Sequence, residues 1–156
     1  AGNPTNSTPG FSLPYAASNN QSWQFYEQDG TGALSLYENR NLKGAFDETT
    51  GQYVASSDLR LKKDITDLEN PLEKILKLRP SQYHYDANSK RKCTGLIAQE
   101  VANILPNLVH EIGQFKNGDS TLGISYTEFI PILIAGMQEQ QRQITALKRK
   151  IKSYEK

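Results

Sequence analysis

"IPILIAGMQEQQRQITALKRKIKSY", residues 130–154, is the most regular stretch of this chain. A heptad reading puts Ile130, Met137, Ile144 and Ile151 at the a positions and Leu133, Gln140, Leu147 and Tyr154 at d, with Gln140 alone interrupting an otherwise apolar or aromatic seam. That period predicts a helix over about residues 128–155, and its stripe is that of a coiled coil about four heptads long. Glu139, Arg142, Lys148 and Lys150 flank it. An amphipathic helix packed on its own domain would show much of the same pattern. Ile at a with Leu at d favours two strands in simple coiled coils. Met137, Gln140 and Tyr154 blur that preference, so the seam leaves the number of chains open. Pro131 is tolerable only in a first turn, which places the helix start near Thr127 to Ile130.

Outward from that helix, composition sets the bounds. A chain of 156 residues has room for one domain plus a piece of another. A hydrophobic fraction of 37 % and a mean hydropathy of −0.64 are low for a compact monomer, and suggest burial completed by partner chains. Eighteen Lys and Arg against seventeen Asp and Glu leave a net charge of +1, which argues for neither nucleic acid nor an anionic membrane. The basic triplets at 90–92 and 148–150 read as solvated faces. No apolar run is long enough to span a bilayer. One cysteine, Cys93, excludes an intrachain disulfide, and with only His84 and His110 beside it no metal site and no cofactor is expected. The opening "AGNPTNSTPGFSLPY" lacks the basic start and apolar core of a signal peptide and reads as a cut through a longer protein.

Residues 1 to about 22, with Pro4, Pro9, Gly10 and Pro14 among Asn, Ser and Thr, read as loop. "SWQFYEQ", "ALSLYEN" and "GAFDETTGQYVAS" then alternate as strands, with Asp29-Gly30 as a hairpin turn. This piece has too few apolar residues to stand alone and is expected to pair with equivalent strands of other copies. "NPLEKILKLRP" reads as a helix capped by Asn70, opened by Pro71 and stopped by Pro80, with Leu72, Ile75, Leu76 and Leu78 on one side. "SQYHYD" is a short strand with Tyr83 and Tyr85 on one face. "TGLIA" is a strand or buried segment running into a short helix that ends before Pro106, and "IGQFKNGDSTLGISY" is a hairpin about Asn117-Gly118. The fold class is therefore α+β: a β-hairpin segment, a mixed helix and hairpin domain, and a long terminal helix.

Between the two parts lies "SSDLRLKKDI", residues 56–65. A serine hydroxyl becomes a nucleophile when a base takes its proton, and a lysine whose charge is disfavoured by burial or neighbouring cations serves. Ser57 and Lys62 stand five apart, with Arg60 and Lys63 as such cations. Five residues on a regular helix span about 140° of rotation, so a dyad requires Ser57 outside the helix, at its cap. "ASSD" suits a cap, and Ser57 or Asp58 simply capping a helix fits the spacing equally well.

Read in order, "SDLRLKKDI", "LRPSQYHYD", "GLIAQEV", "LPNLV" and "ISYTEFIPILIAGMQEQQRQITALK" resemble the endosialidase-type C-terminal intramolecular chaperones, over residues 56 to about 150. Such domains end bacteriophage tail fibres, tailspikes and neck appendages, and occur in the myelin regulatory factor. The resemblance implies a homotrimer that assists folding of the fibre domain upstream and then releases itself by single-turnover autoproteolysis with a Ser-Lys dyad. The family's serine and lysine fall on Ser57 and Lys62, and the implied scissile bond is Ser56-Ser57. Residues 1–56 would then be the end of the cargo and 57–156 the chaperone autopeptidase. Asp58 and Arg60 would support the turn; Gln99 and Glu100 would close the site or serve a helix cap. A histidine is frequent in the family where this chain has Cys93, which bears on the cleavage rate. The resemblance further implies synthesis in a host bacterium and cargo incorporated in a virion tail for host attachment, with no nucleic acid or membrane partner. Two other readings stand beside it: a trimeric fibre tip that never cleaves, and a monomeric enzyme or regulator with an amphipathic terminal helix.

Overall fold

A computed structural model describes residues 10–14, 22–27, 32–39, 41–85, 90–115 and 117–155. It is α+β, with three small antiparallel sheets and one long C-terminal helix. The chain divides into two compact units, Ala1–Ile65 and Thr66–Lys156.

The first unit is a five-stranded meander: β1 (Gly10–Pro14), β2 (Ser22–Glu27), β3 (Leu34–Glu38), β4 (Asn41–Phe46) and β5 (Tyr53–Ala55), in that spatial order. Gly10–Pro14, expected as loop, is a strand. It lies at the sheet edge with Pro14 as its last residue, where a missing N–H costs no ladder bond. The expected turn at Asp29-Gly30 lies outside the described residues. Aromatic contacts support the strand pairing: Tyr26 meets Tyr37 edge-on at 5.9 Å, and Phe46 meets its cross-strand partner Tyr53 at 5.3 Å. The β4–β5 turn is held by Asp47, whose Oδ1 accepts from the Thr49 N–H at 3.2 Å, the Thr50 N–H at 2.8 Å and the Thr50 hydroxyl at 2.7 Å. Those donors, the Thr50 hydroxyl foremost, hold the Asp47 carboxyl below its ordinary range. Gly51 closes the turn at φ +69°, a conformation that a Cβ disfavours.

The second unit holds α1 (Pro71–Lys77), β6 (Ser81–Tyr83), β7 (Cys93–Gly95), α2 (Ala98–Ala102), β8 (Val109–Gln114), β9 (Ser120–Ile124) and α3 (Phe129–Tyr154). Its core is Val101, Leu105, Leu108, Phe129 and Ile132, with Ile75, Leu78, Leu96, Ile104, Val109 and Ile124 packed against them. "TGLIA" is a strand only as far as Gly95, and the helix that follows starts at Ala98. β6 ends at Tyr83, so "SQYHYD" is shorter than its alternation suggests, although the Tyr85 ring still meets Tyr83 edge-on at 5.3 Å. The β8–β9 hairpin has its turn at Asn117-Gly118 as expected.

A 3-10 turn, Tyr126–Glu128, leads into α3, and Pro131 sits in the first turn, where its missing N–H has no partner to lose. α3 turns Phe129, Ile132 and Gly136 inward, and the bare Cα of Gly136 lets Ile75 of α1 lie against it. Of the α1 stripe, Leu72, Ile75 and Leu78 are at least partly buried, but Leu76 is 75 % exposed. It points away from α3, because i and i+1 do not share a helical face.

Asn70 precedes α1 as expected, yet its side chain makes no cap bond, and it sits in the left-handed region at φ 48°. The carboxylate of Glu139, on α3, accepts the Leu72 N–H at 3.2 Å instead. A tertiary contact thus replaces the local cap at the positive end of α1. Glu139→Ala is expected to lower stability by about 1 kcal/mol, read as a drop of a few degrees in thermal unfolding, and Glu139→Gln to recover part of the loss.

Candidate functional site

The sequence between the two expected parts forms a tight turn. Asp58 is the N-cap of a 3-10 turn, Leu59–Leu61, closed by Leu61 N–H to the Asp58 carbonyl and Lys62 N–H to the Leu59 carbonyl, each at 3.1 Å. Asp58 Oδ1 accepts from the Arg60 N–H at 2.8 Å and from Arg60 Nε at 2.9 Å, while Oδ2 accepts from Arg60 Nη2 at 2.8 Å. This fork lowers the Asp58 carboxyl below its ordinary range and raises the Arg60 guanidinium, so both stay charged across the working range of pH. Arg60 is therefore committed to Asp58.

The turn folds the chain back by one short loop. Lys62 Nζ, beyond it, donates to Ser57 Oγ at 2.8 Å. Ser57 lies outside the helical turn, so the five-residue spacing closes without the 140° separation a regular helix would impose. The neighbouring serine is engaged elsewhere: the Ser56 N–H donates to the Lys43 carbonyl at 2.9 Å, and its hydroxyl to the Leu42 carbonyl at 3.3 Å. Of two adjacent hydroxyls, one is tied to strand β4 and the other faces an amine. A neutral amine at this distance can take the hydroxyl proton. In the single chain both residues are exposed, as are Leu59 and Leu61 beside them, at 72 % and 66 %. Desolvation disfavours the charged form of an amine, so chemistry here requires something to dry the site.

The remaining candidates lie in the second unit. Glu100 forms a two-pronged ion pair with Arg79, through Nε to Oε2 at 3.1 Å and Nη2 to Oε1. Gln99 is exposed at the rim of a recess of about 280 Å³ shared with Tyr83, Leu96, Gly123 and Tyr126. Tyr126, which the sequence reading passed over, accepts the Leu96 N–H at 2.9 Å over Gly95, where any Cβ would collide with its hydroxyl. The Tyr83 phenol is pushed up to about 12, chiefly by its hydrogen bond with Tyr85. Cys93 is half-buried in β7, and His84 and His110 are exposed. Among the described residues no cluster of His, Cys, Asp or Glu is placed to hold a metal, and no helix is long and apolar enough to cross a membrane.

Along α3 the heptad residues Ile130, Leu133, Met137, Gln140, Ile144, Leu147, Ile151 and Tyr154 are all exposed in the single chain. Reading the sequence alone also missed the carbonyls of Leu42 and Lys43. Backbone groups carry no signature in a side-chain pattern.

The family model described as chaperone of endosialidase matches residues 57–110, opening on Ser57. Those residues belong to the chaperone of endosialidase family. The family's label is that of a peptidase. This chaperone segment straddles the two units, with residues 57–65 in the first. Among curated proteins the chain is 38 % identical over 81 residues to myelin regulatory factor homolog 1 of Caenorhabditis elegans, covering 45 % of the chain and 9 % of that protein. It is 32 % identical over 127 residues to the long tail fiber protein Gp37 of Escherichia phage AR1, covering 71 % of the chain and 11 % of the fibre protein. Against Gp37 of Enterobacteria phage K3 it is 25 % identical over 138 residues, 80 % of the chain and 11 % of the relative. The chain spans about a tenth of the length of these relatives.

Proposed function

We propose that this chain joins the end of a tail-fibre-type cargo to an intramolecular chaperone that trimerises, guides folding of that cargo, and then frees itself by cutting Ser56-Ser57. The contact between Lys62 Nζ and Ser57 Oγ, 2.8 Å at the first residue of the family segment, carries this reading. Lys62 in its neutral form takes the Ser57 hydroxyl proton, and Oγ attacks the Ser56 carbonyl carbon. The C–N bond breaks as that proton passes to the Ser57 nitrogen, which moves the acyl group from nitrogen to oxygen. Water then hydrolyses the ester, leaving a Ser56 carboxylate and a Ser57 amino terminus with its hydroxyl restored.

Trimerisation through the α3 seam supplies what the single chain lacks. It covers the exposed heptad residues, and packing of three copies excludes water around Lys62, so that cleavage waits for assembly. Linking the chains at their ends also raises the local concentration of the upstream strands before they search for their register. The β8–β9 hairpin is suited to reaching onto the cargo, with Ile112 and Phe115 presented to solvent. Once cut, the cargo cannot retrace its folding route, and its persistence rests on a high unfolding barrier. Cargo then travels with a virion tail and the chaperone is released.

Intact mass and a denaturing gel on freshly made protein test the scheme. Fragments ending at Ser56 and beginning at Ser57, from a parent of three-chain native mass and not from Ser57→Ala, are the expected result. The exposure of the dyad favours one other reading, a trimeric fibre tip that stays attached. An uncut trimer in both proteins would select it.

A further inference from the structure

The two flanks of the α3 seam differ. In the heptad frame the buried residues Phe129 and Gly136 stand at g and Ile132 at c, so the helix leans on its own unit with that side. Gly136 meets Ile75 of α1 there, and Glu139, also at c, bonds to the start of α1. Three residues along a helix fall about 60° short of a full circle and four pass it by about 40°, so g lies beside d, and e beside a, on opposite flanks of the seam. The e flank is open. It borders a recess of about 500 Å³ whose lining includes Leu68, Pro131 and Ile134, with Ile134 at e. Ile134 and Leu68 are both exposed, although neither belongs to the seam.

In a parallel coiled coil the e flank of one helix faces the g flank of the next. Beyond Gln140 that meeting needs only side chains, and Lys150 at g has the spacing to meet Glu155 at e of a neighbour. At Gly136 the g flank is already covered by α1, so helix cannot meet helix there. What a neighbour presents instead is the outer side of α1. It carries exposed Leu76, with Glu73 one turn before it and Lys77 beside it, paired to each other at 2.6 Å. The recess matches both characters, with Leu68 and Ile134 as apolar walls and Asp67 and Arg142 as one charge of each sign.

Resting on the proposed association through the α3 seam, we infer that this recess is the docking site for α1 of the next copy, with Leu76 seated between Leu68 and Ile134. The contact runs head to tail, recess on one copy and leucine on the next, and the third copy closes the ring. It joins the folded bodies as well as the helices, and so fixes how each body is turned about the shared axis.

Mixed chains test the contact. In a Ser57→Ala, Cys93→Ser background, which keeps the chain whole and removes its one native thiol, one chain carries Leu76→Cys and a second, lengthened by a tag, carries Ile134→Cys. Made together and treated with a short bis-maleimide, they are expected to give the mixed covalent pair in at least about tenfold excess over either like pair. Leu76→Asp and Ile134→Lys, each alone in the otherwise unchanged parent, are expected to weaken association about tenfold or more, and combined in one chain to recover most of the loss. Both residues are exposed in the single chain, so thermal unfolding of the separated chains should hardly move. Should Cys93→Ser fail to assemble, the charged variants decide. A parent of three-chain native mass whose mixed pairs are no more frequent than like pairs, or whose charged variants associate within twofold of it, would overturn the docking and leave the seam standing. A parent that runs as a monomer would remove both together.

Discussion

Lys62→Met is expected to give a chain that assembles at the parent's native mass and remains in one piece, with cleavage slowed by a factor of about 10⁴ or more. Methionine keeps much of the length and the apolar stem of lysine and removes only the amine that faces Ser57 Oγ at 2.8 Å. Stability should hardly change, since Lys62 is exposed and makes no packed contact in the core. Lys62→Arg is the sharper companion. A guanidinium keeps the positive charge and the reach but does not lose its proton in this range, so a general base is lost while an electrostatic partner stays. If Lys62→Arg cuts at the parent rate, the lysine serves only as a charge and the proton must leave Ser57 by another path. Time courses by intact mass, at several pH values, read both variants.

Met137→Asp with Ile144→Asp is expected to abolish association of three chains while each second unit stays folded. In the single chain Met137 is 69 % and Ile144 39 % exposed, so charge at these positions costs the monomer little. In a closed seam each substitution removes the burial of a large side chain, about 1.5–3 kcal/mol, and adds an unpaired carboxylate. Every 1.4 kcal/mol is tenfold in an equilibrium constant, so association should fall by several orders of magnitude. Native mass spectrometry and sedimentation read the change directly. Cleavage should stop with it, because the dyad then stays in water. A parent that runs as a monomer, or a double variant that still holds three chains, would remove the seam from the scheme.

How far the sequence could be read differs from element to element. The long helix was plain from its heptads, and Pro131 located its start, because a proline has few permitted places in a helix. The hairpin marked by Asn117-Gly118 was equally plain, since positive φ leaves a signature in residue type, whereas the turn at Gly51 went unread inside "GAFDETTGQYVAS". Edge strand Gly10–Pro14 was hidden by its proline and glycine, whose usual meaning in a loop is reversed at a sheet edge. Asn70 stands at the N-cap of α1 as its sequence position suggested, but its side chain makes no cap bond, and a local rule cannot know that Glu139 arrives from 67 residues away to accept the Leu72 N–H instead. In the site, Ser57 and Lys62 rested on resemblance, as their spacing is common. The fork of Asp58 and Arg60 lies within reach of pattern reading, and the backbone grip on Ser56 does not.

Helix α3 has two halves of different standing. Its buried residues, Phe129, Ile132 and Gly136, all lie in the first eight positions, and Glu139 bonds to the start of α1. From Gln140 onward none of the described residues of the helix is buried, and this half is a cantilever, a beam about 22 Å long. Fifteen residues are at the lower limit of what holds a helical shape in water by propensity alone. Helix content in this overhang should therefore rise with protein concentration, so that the beam stiffens as companions gather and registers how crowded its own kind has become.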